Sequence, residues 1–323
     1  MKYNYVLFGS PEDYYKVSYS ELYDLPGAHC IMDGLDSGNQ VLQILFKLHT
    51  SKKTQEYIDL PLKSIWNKLI FKNPFNDNKP ICFVFFPRNP LCNKNVINYL
   101  RQHYPNSKFV GFWQDLVGQI KLPDFEEMRD NYLDICLSFD QGDCLRYGLS
   151  YYPLVYSYYG ETTNHLLPHS DVYYVGRAKD RLKTIIDIYE LLSNSGLVCD
   201  FNITGVKKKD QVFPDSIKYL DSMPYVENIE HIKATNCILE IMQGGGTGFT
   251  LRYAEAIMYD KKMITNNQAI REASFYSPSR INVFKEIKDI DLGFPIAEPI
   301  IADYGFKDNL LPSKMLQFID DQL

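Results

Sequence analysis

Short apolar runs alternate with amphipathic stretches along the whole chain. Runs bounded by polar residues or glycine predict strands at 3–8, 28–32, 81–86, 108–113, 135–139 and 152–156. Apolar positions three and four apart predict helices between them, at 40–48, 94–103 and 142–148. The second half repeats the scheme, with strands at 172–175, 199–203, 237–241 and 263–266 and helices at 180–193, 226–233 and 250–260. Strands that alternate with helices argue for parallel sheets joined by crossover helices, so the expected class is α/β with two doubly wound, Rossmann-like domains facing a cleft. The polar stretch 157–170, with Gly160, Thr162, Thr163, Asn164 and Pro168, separates them. This gives a first domain over 1–160 and a second over 161–305. A terminal segment, 306–323, is helical from Pro312 and is expected to cross back onto the first domain.

Composition supports two cores. The chain has 323 residues, 45% of them hydrophobic and 23% charged. It has no apolar run of bilayer length, and its start, MKYNYVLFGSPED, turns polar too early for a secretory leader. A cytoplasmic protein is expected. Seven cysteines without a C-x-x-C spacing suggest reduced, mostly buried thiols and no zinc site.

The net charge of −6 is unevenly spread: residues 40–110 hold eleven Lys and Arg against Glu56, Asp59 and Asp77. Within this basic region, residues 61–72 place Leu62, Ile65, Trp66 and Leu69 at helical spacing beside Lys63, Lys68 and Lys72. The pattern suits an anionic membrane surface, which would put the protein peripherally on the inner face of the cell membrane. A −6 chain without a recognisable DNA- or RNA-binding motif argues against nucleic acid as a partner.

The segment 240–256 carries the most chemistry. An apolar strand ends, Gly244, Gly245, Gly246 and Gly248 follow with Thr247 among them, and Phe249 and Thr250 lead into a helix bearing Arg252 and Glu255. Glycines let the backbone approach a bulky anion, and the first helical turn offers unpaired N–H groups and the positive dipole end. Glu255, one turn further in, is placed to accept from ribose hydroxyls. Earlier, the strand of the second domain runs through Gly176 into Arg177 and Lys179, cations suited to a diphosphate at a parallel strand end.

With these motifs the chain resembles a GT-B glycosyltransferase, and most closely the bacterial capsule and lipopolysaccharide enzymes. Val175-Gly-Arg177 with Lys179 is similar to the start of that class's donor-binding domain, and Thr247 to Ala256 to its E-G-F-G-x-x-x-x-E-A segment, where the second acid binds ribose. The resemblance implies hexose transfer from a nucleotide-diphosphate sugar, expected to be a UDP-sugar, to a lipid-linked or oligosaccharide acceptor in surface polysaccharide synthesis. No metal or cofactor is implied beyond the nucleotide sugar. The backbone of Tyr225 and Val226 would read the nucleotide base.

Two departures bear on mechanism. Thr247 stands where retaining members carry the first Glu, and Gln114 where they carry a strand-end His. A retaining mechanism is therefore unsupported, and inverting transfer needs a base. Asp115 fits best by position, followed by Glu12 and Asp13 after the first strand and Asp36 after the second. Asp289-Ile-Asp291 matches a metal-binding D-x-D triplet, but lies in an acidic stretch that reads as solvated surface. His165 is placed to line the cleft. A non-catalytic scaffold of the same fold, or a nucleotide-sugar epimerase, remains open as an alternative.

Overall fold

The computed structural model describes residues 1–10, 12–32, 34–50, 63–120, 125–160, 167–242 and 248–323. It divides into two compact units, 1–155 with 311–323, and 156–310.

In the first unit the strands are β1 (Asn4–Phe8), β2 (Ala28–Ile31), β3 (Ile81–Phe85), β4 (Lys108–Trp113), β5 (Ile135–Ser138) and β6 (Ser150–Tyr151). They form one parallel sheet in the order β2-β1-β3-β4-β5-β6. Both faces of its central strands are apolar, because each is covered. Val6, Phe8, Phe83, Phe85 and Phe109 pack on one side with Val96, Ile97 and Leu100. Tyr5, Leu7, Val84, Val110 and Phe112 pack on the other.

Among the described residues of 1–155 the helices are α1 (Asp13–Ser18), α2 (Gln40–Thr50), α3 (Asn67–Ile70), α4 (Lys94–His103), α5 (Phe125–Asn131) and α6 (Gln141–Tyr147). Their ends follow local chemistry. Asn93 caps α4 by accepting from Val96 N (3.1 Å), and Asp140 caps α6 by accepting from Asp143 N (2.8 Å). Gly148 ends α6 in the left-handed region, φ 67°.

The second unit contains β7 (Ser170–Arg177), α7 (Leu182–Asn194), β8 (Cys199–Thr204), β9 (Lys218–Leu220), α8 (Tyr225–Lys233), β10 (Thr235–Glu240), α9 (Leu251–Met258), β11 (Lys262–Thr265), β12 (Ile281–Val283) and α10 (Lys307–Leu310). Its sheet, again parallel, runs β12-β11-β10-β7-β8-β9. Ile185, Ile188, Tyr189 and Leu192 of α7 lie at three- and four-residue spacing and are buried in the core with Phe201 and Ile203.

The last helix, α11 (Pro312–Gln322), packs in the first unit, where Met315, Leu316 and Ile319 are fully buried beside Tyr5, Leu7 and Val84. The Tyr5 hydroxyl donates to Asp320 Oδ1 (2.6 Å), and Ser313 N donates to Glu21 Oε2 (3.0 Å). Among the described residues no helix is long and apolar enough to cross a membrane.

Strand order decides where a ligand fits. Successive connections turn in opposite directions at β1/β3 in the first unit and at β7/β10 in the second, leaving a crevice beyond the carboxyl ends of each strand pair.

Candidate functional site

At the switch point of the second unit, β7 ends in Arg177, and Lys179 follows in the left-handed region, φ 47°. Both side chains are exposed. Arg181 turns back instead: its guanidinium donates to Arg177 O (2.7 Å) and to Ile241 O, which ties the end of β7 to the end of β10.

Beyond β10 the glycine-rich segment begins, and Gly244, Gly245, Gly246 and Thr247 lie outside the described residues. Its flanks are well anchored. Met242 N donates to Asn266 Oδ1 (2.7 Å), and Asn267 Nδ2 donates to Gly248 O (3.3 Å). Phe249 packs against Tyr253 and Phe275, with ring centroids 5.3 and 5.5 Å away. Thr250 is the N-cap of α9: its hydroxyl accepts from Arg252 N (3.1 Å) and donates to Glu240 Oε1. Glu240 Oε2 accepts from Thr265 Oγ1 (2.6 Å). Burial raises the pKa of Glu240 above the usual carboxylate range, against the lowering effect of the two threonine hydroxyls and Arg252.

Glu255 sits one turn inside α9 and is 0% exposed. Its Oε1 accepts from the Tyr225 hydroxyl (2.6 Å) and from Asn228 Nδ2 (3.0 Å), and its Oε2 from Arg252 Nη1. Asn228 is held in turn by the Tyr173 hydroxyl (3.0 Å) and Arg252 Nη1 (3.2 Å), both donating to its Oδ1. Behind Tyr173, the His231 ring stacks at 5.2 Å and its Nδ1 bonds Asp200. Burial is the largest influence on Arg252 and works against its charge, but Glu255 together with Tyr225, Tyr173 and Tyr156 outweighs it, so the pKa is raised. Tyr225 is pushed up by burial and by the same carboxylate.

The structure therefore holds Glu255 differently from an open ribose acceptor, since both of its oxygens already have protein donors. Tyr225 is the first residue of α8 and is buried, committed through its side chain to Glu255, while Val226 beside it is half-buried.

In the first unit, Asp115 follows β4 and forms an ion pair with Arg88, which follows β3. Asp115 Oδ1 also accepts from Leu116 N (3.1 Å). Tyr15, on α1, feels the charges of Glu12, Arg88 and Asp115 together, so these groups share one end of the sheet. Asp13, the first residue of α1, is exposed. Gly9 closes β1, where a Cβ would collide with the Met32 sulfur, and Asn89 Nδ2 donates to its carbonyl.

Asp36 lies apart from Asp115. Its carboxylate bonds His29 Nε2 (3.1 Å) and accepts from Lys72 N (3.0 Å), which fixes the chain after β2. Three strand steps separate β2 from β4, about 14 Å at the usual spacing. Gln114, at the end of β4, accepts from the Tyr19 hydroxyl (2.9 Å).

Asp289 and Asp291 are occupied locally, accepting from Glu286 N (2.9 Å) and Gly293 N (2.9 Å). His165 lies outside the described residues. Arg88, Asn228 and Glu240 are members of these clusters to which the sequence alone assigns no site role. Glu240 carried a signal, as an acid at the end of an apolar strand.

Two parallel, doubly wound units, the second with strand-end cations and a capped helix at its switch point, define the GT-B fold. Solved structures of glycosyltransferases share it. An "alpha-glucosyltransferase in complex with UDP-glucose and DNA containing an abasic site" is similar with a TM-score of 0.59 and 11% identity, covering 98% of this chain and 98% of that one. An "alpha-glucosyltransferase in complex with UDP and a 13-mer DNA containing a HMU base" gives a TM-score of 0.51 and 10% identity over 98% of both chains. A scan against protein-family models finds no match, and a search of curated proteins finds none either.

These structures correct one expectation. Net charge and the lack of a known motif argue against nucleic acid on sequence alone, yet proteins of this fold are seen bound to DNA. The physical reason is that a phosphate backbone meets local surface potential and not the whole-chain charge, and residues 40–110 are strongly basic.

Proposed function

We propose that this protein is a hexosyltransferase using a nucleotide-diphosphate sugar, with its donor site at the switch point of the second unit. One observation carries the reading: Arg177 and Lys179 follow the end of β7, β7 lies beside β10, and the cap of α9, Thr250, bonds Glu240 at the end of β10, with Arg252 in the first turn. As the acceptor hydroxyl attacks the anomeric carbon, the glycosidic C–O bond breaks and the nucleoside diphosphate leaves with the electron pair. Fixed cations and a helix N-terminus stabilise that charge, so no metal or further cofactor is invoked. In the first unit Asp115, positioned by Arg88, takes the hydroxyl proton. UDP is the nucleotide we favour.

For the acceptor, we favour a lipid-linked glycan or oligosaccharide in surface polysaccharide synthesis. Val41, Ile44, Leu45 and Leu48 form an exposed stripe on α2, and Ile65 and Leu69 are exposed as well. Lys47, Lys68 and Lys72 are also exposed, so apolar and basic side chains together suit an anionic membrane. A nucleic-acid acceptor is the second reading, favoured by the DNA in the complexes of similar fold.

Radiolabelled UDP-glucose offered with lipid-linked glycan in anionic vesicles, and separately with duplex DNA, tests both. Label in the lipid fraction supports the first reading and label in DNA the second. If neither is labelled and no nucleotide sugar is hydrolysed, the enzyme reading fails.

A further inference from the structure

The i, i+3 spacing of Arg252 and Glu255 puts both on one face of α9, directly after its cap. A ribose hydroxyl that donates to Glu255 needs a carboxylate oxygen, and each oxygen has a protein donor. The partners on Oε1 are not free to leave: Tyr225 and Asn228 are buried, and Asn228 is held from behind by Tyr173. Arg252 differs. Its side chain is 21% exposed, while that of Glu255 is 0% exposed. Departure of Arg252 alone would strand a buried carboxylate, which is strongly unfavourable. Departure in exchange, with a diphosphate taking the guanidinium and a ribose hydroxyl taking its place on Oε2, leaves every charge partnered.

We propose that Arg252 makes ribose recognition by Glu255 conditional on phosphate: the guanidinium that engages Glu255 Oε2 moves to the donor's diphosphate, and only then does that oxygen accept from the ribose. The pair thus acts as a specificity device that discriminates nucleoside diphosphates from nucleosides. This inference rests on the donor-site reading given above.

The exchange predicts cooperativity between the two halves of the nucleotide, because a ligand that draws Arg252 away must strengthen whatever binds Glu255. Uridine is titrated into the wild-type protein by calorimetry with and without saturating inorganic pyrophosphate. Pyrophosphate is expected to tighten uridine binding by about tenfold, the size of one charge-assisted contact. Arg252→Met is expected to abolish that enhancement, to bind uridine alone more tightly than the wild type, and to bind UDP about tenfold more weakly.

Unchanged or weakened uridine binding in pyrophosphate overturns the proposal on wild-type protein alone, whether or not the variant folds. Equal weakening of uridine and UDP in a folded Arg252→Met also overturns it, since Arg252 would then be only structural. If the wild type binds UDP yet shows no coupling, this inference fails and the donor site stands. If it binds neither UDP nor UDP-glucose, both fall.

Discussion

Replacing Tyr225 by Phe removes one oxygen atom and leaves the ring packing in place. That hydroxyl donates to Glu255 Oε1 at 2.6 Å, and Glu255 is fully buried, so water does not replace the lost donor. Hydrogen bonds to charged groups contribute roughly 1.5–3 kcal/mol, and the short distance argues for the middle of that range, about 2 kcal/mol. Asn228 continues to donate to the same oxygen, and the Tyr156 hydroxyl, 3.0 Å from that of Tyr225, loses a neighbour. For a unit spanning 156–310, where 1 kcal/mol shifts Tm by roughly 2–4 °C, the expected drop is about 4–8 °C. Differential scanning calorimetry reads this directly. A drop below about 1 °C would show that Glu255 does not depend on Tyr225, and the buried network described here would be wrong.

Glu240→Gln tests the other buried carboxylate. Because burial raises its folded pKa, its contribution to stability is present below the unfolded pKa and lost as pH rises through the folded value. The Gln variant lacks that loss, so its stability relative to wild type should grow as pH rises above about 4 in denaturant melts; a deficit that widens with pH contradicts the assignment. Asp115→Asn should lower kcat by about 10²–10⁴ while leaving UDP affinity unchanged, and normal turnover in this variant would remove Asp115 as the base.

The long apolar strands were legible because burial on both faces leaves a continuous hydrophobic run, as in β3 and β4, where 108–113 matches to the residue. The three-residue strands β9 and β12 are too short to show a period, and sequence reading passes over them. The run 152–156 reads as a strand but is not one: Tyr152 and Val155 are buried in the core beside β6, and Tyr156 N donates to Leu310 O. An apolar run reports burial, and pairing in a ladder is a separate matter. Of the helix expected over 61–72, residues 61 and 62 lie outside the described residues. In the remainder Trp66 turns inward and donates to His49 Nδ1 (2.9 Å), while Ile65 and Leu69 face outward. The stripe on α2 escaped notice because apolar spacing does not say which of two apolar faces is the inner one.

At the site, local motifs located Arg177, Thr250, Arg252 and Glu255 in sequence, but not their partners. Asn228 reaches Glu255 from 27 residues away, and Arg88 reaches Asp115 across the same separation. Such pairs are set by which elements lie side by side, and a single sequence encodes that order only through the fold. The occupied state of Glu255 was hidden for the same reason.

The proposed nucleotide-diphosphate site lies at the end of β7. Calorimetric titration of UDP into the wild type and into the Arg177→Ala and Lys179→Ala variants tests it most directly. Saturable binding to the wild type is expected, with a loss of about 2 kcal/mol in each variant, close to thirtyfold in Kd. Binding of equal strength in all three proteins, or none in the wild type, would contradict it.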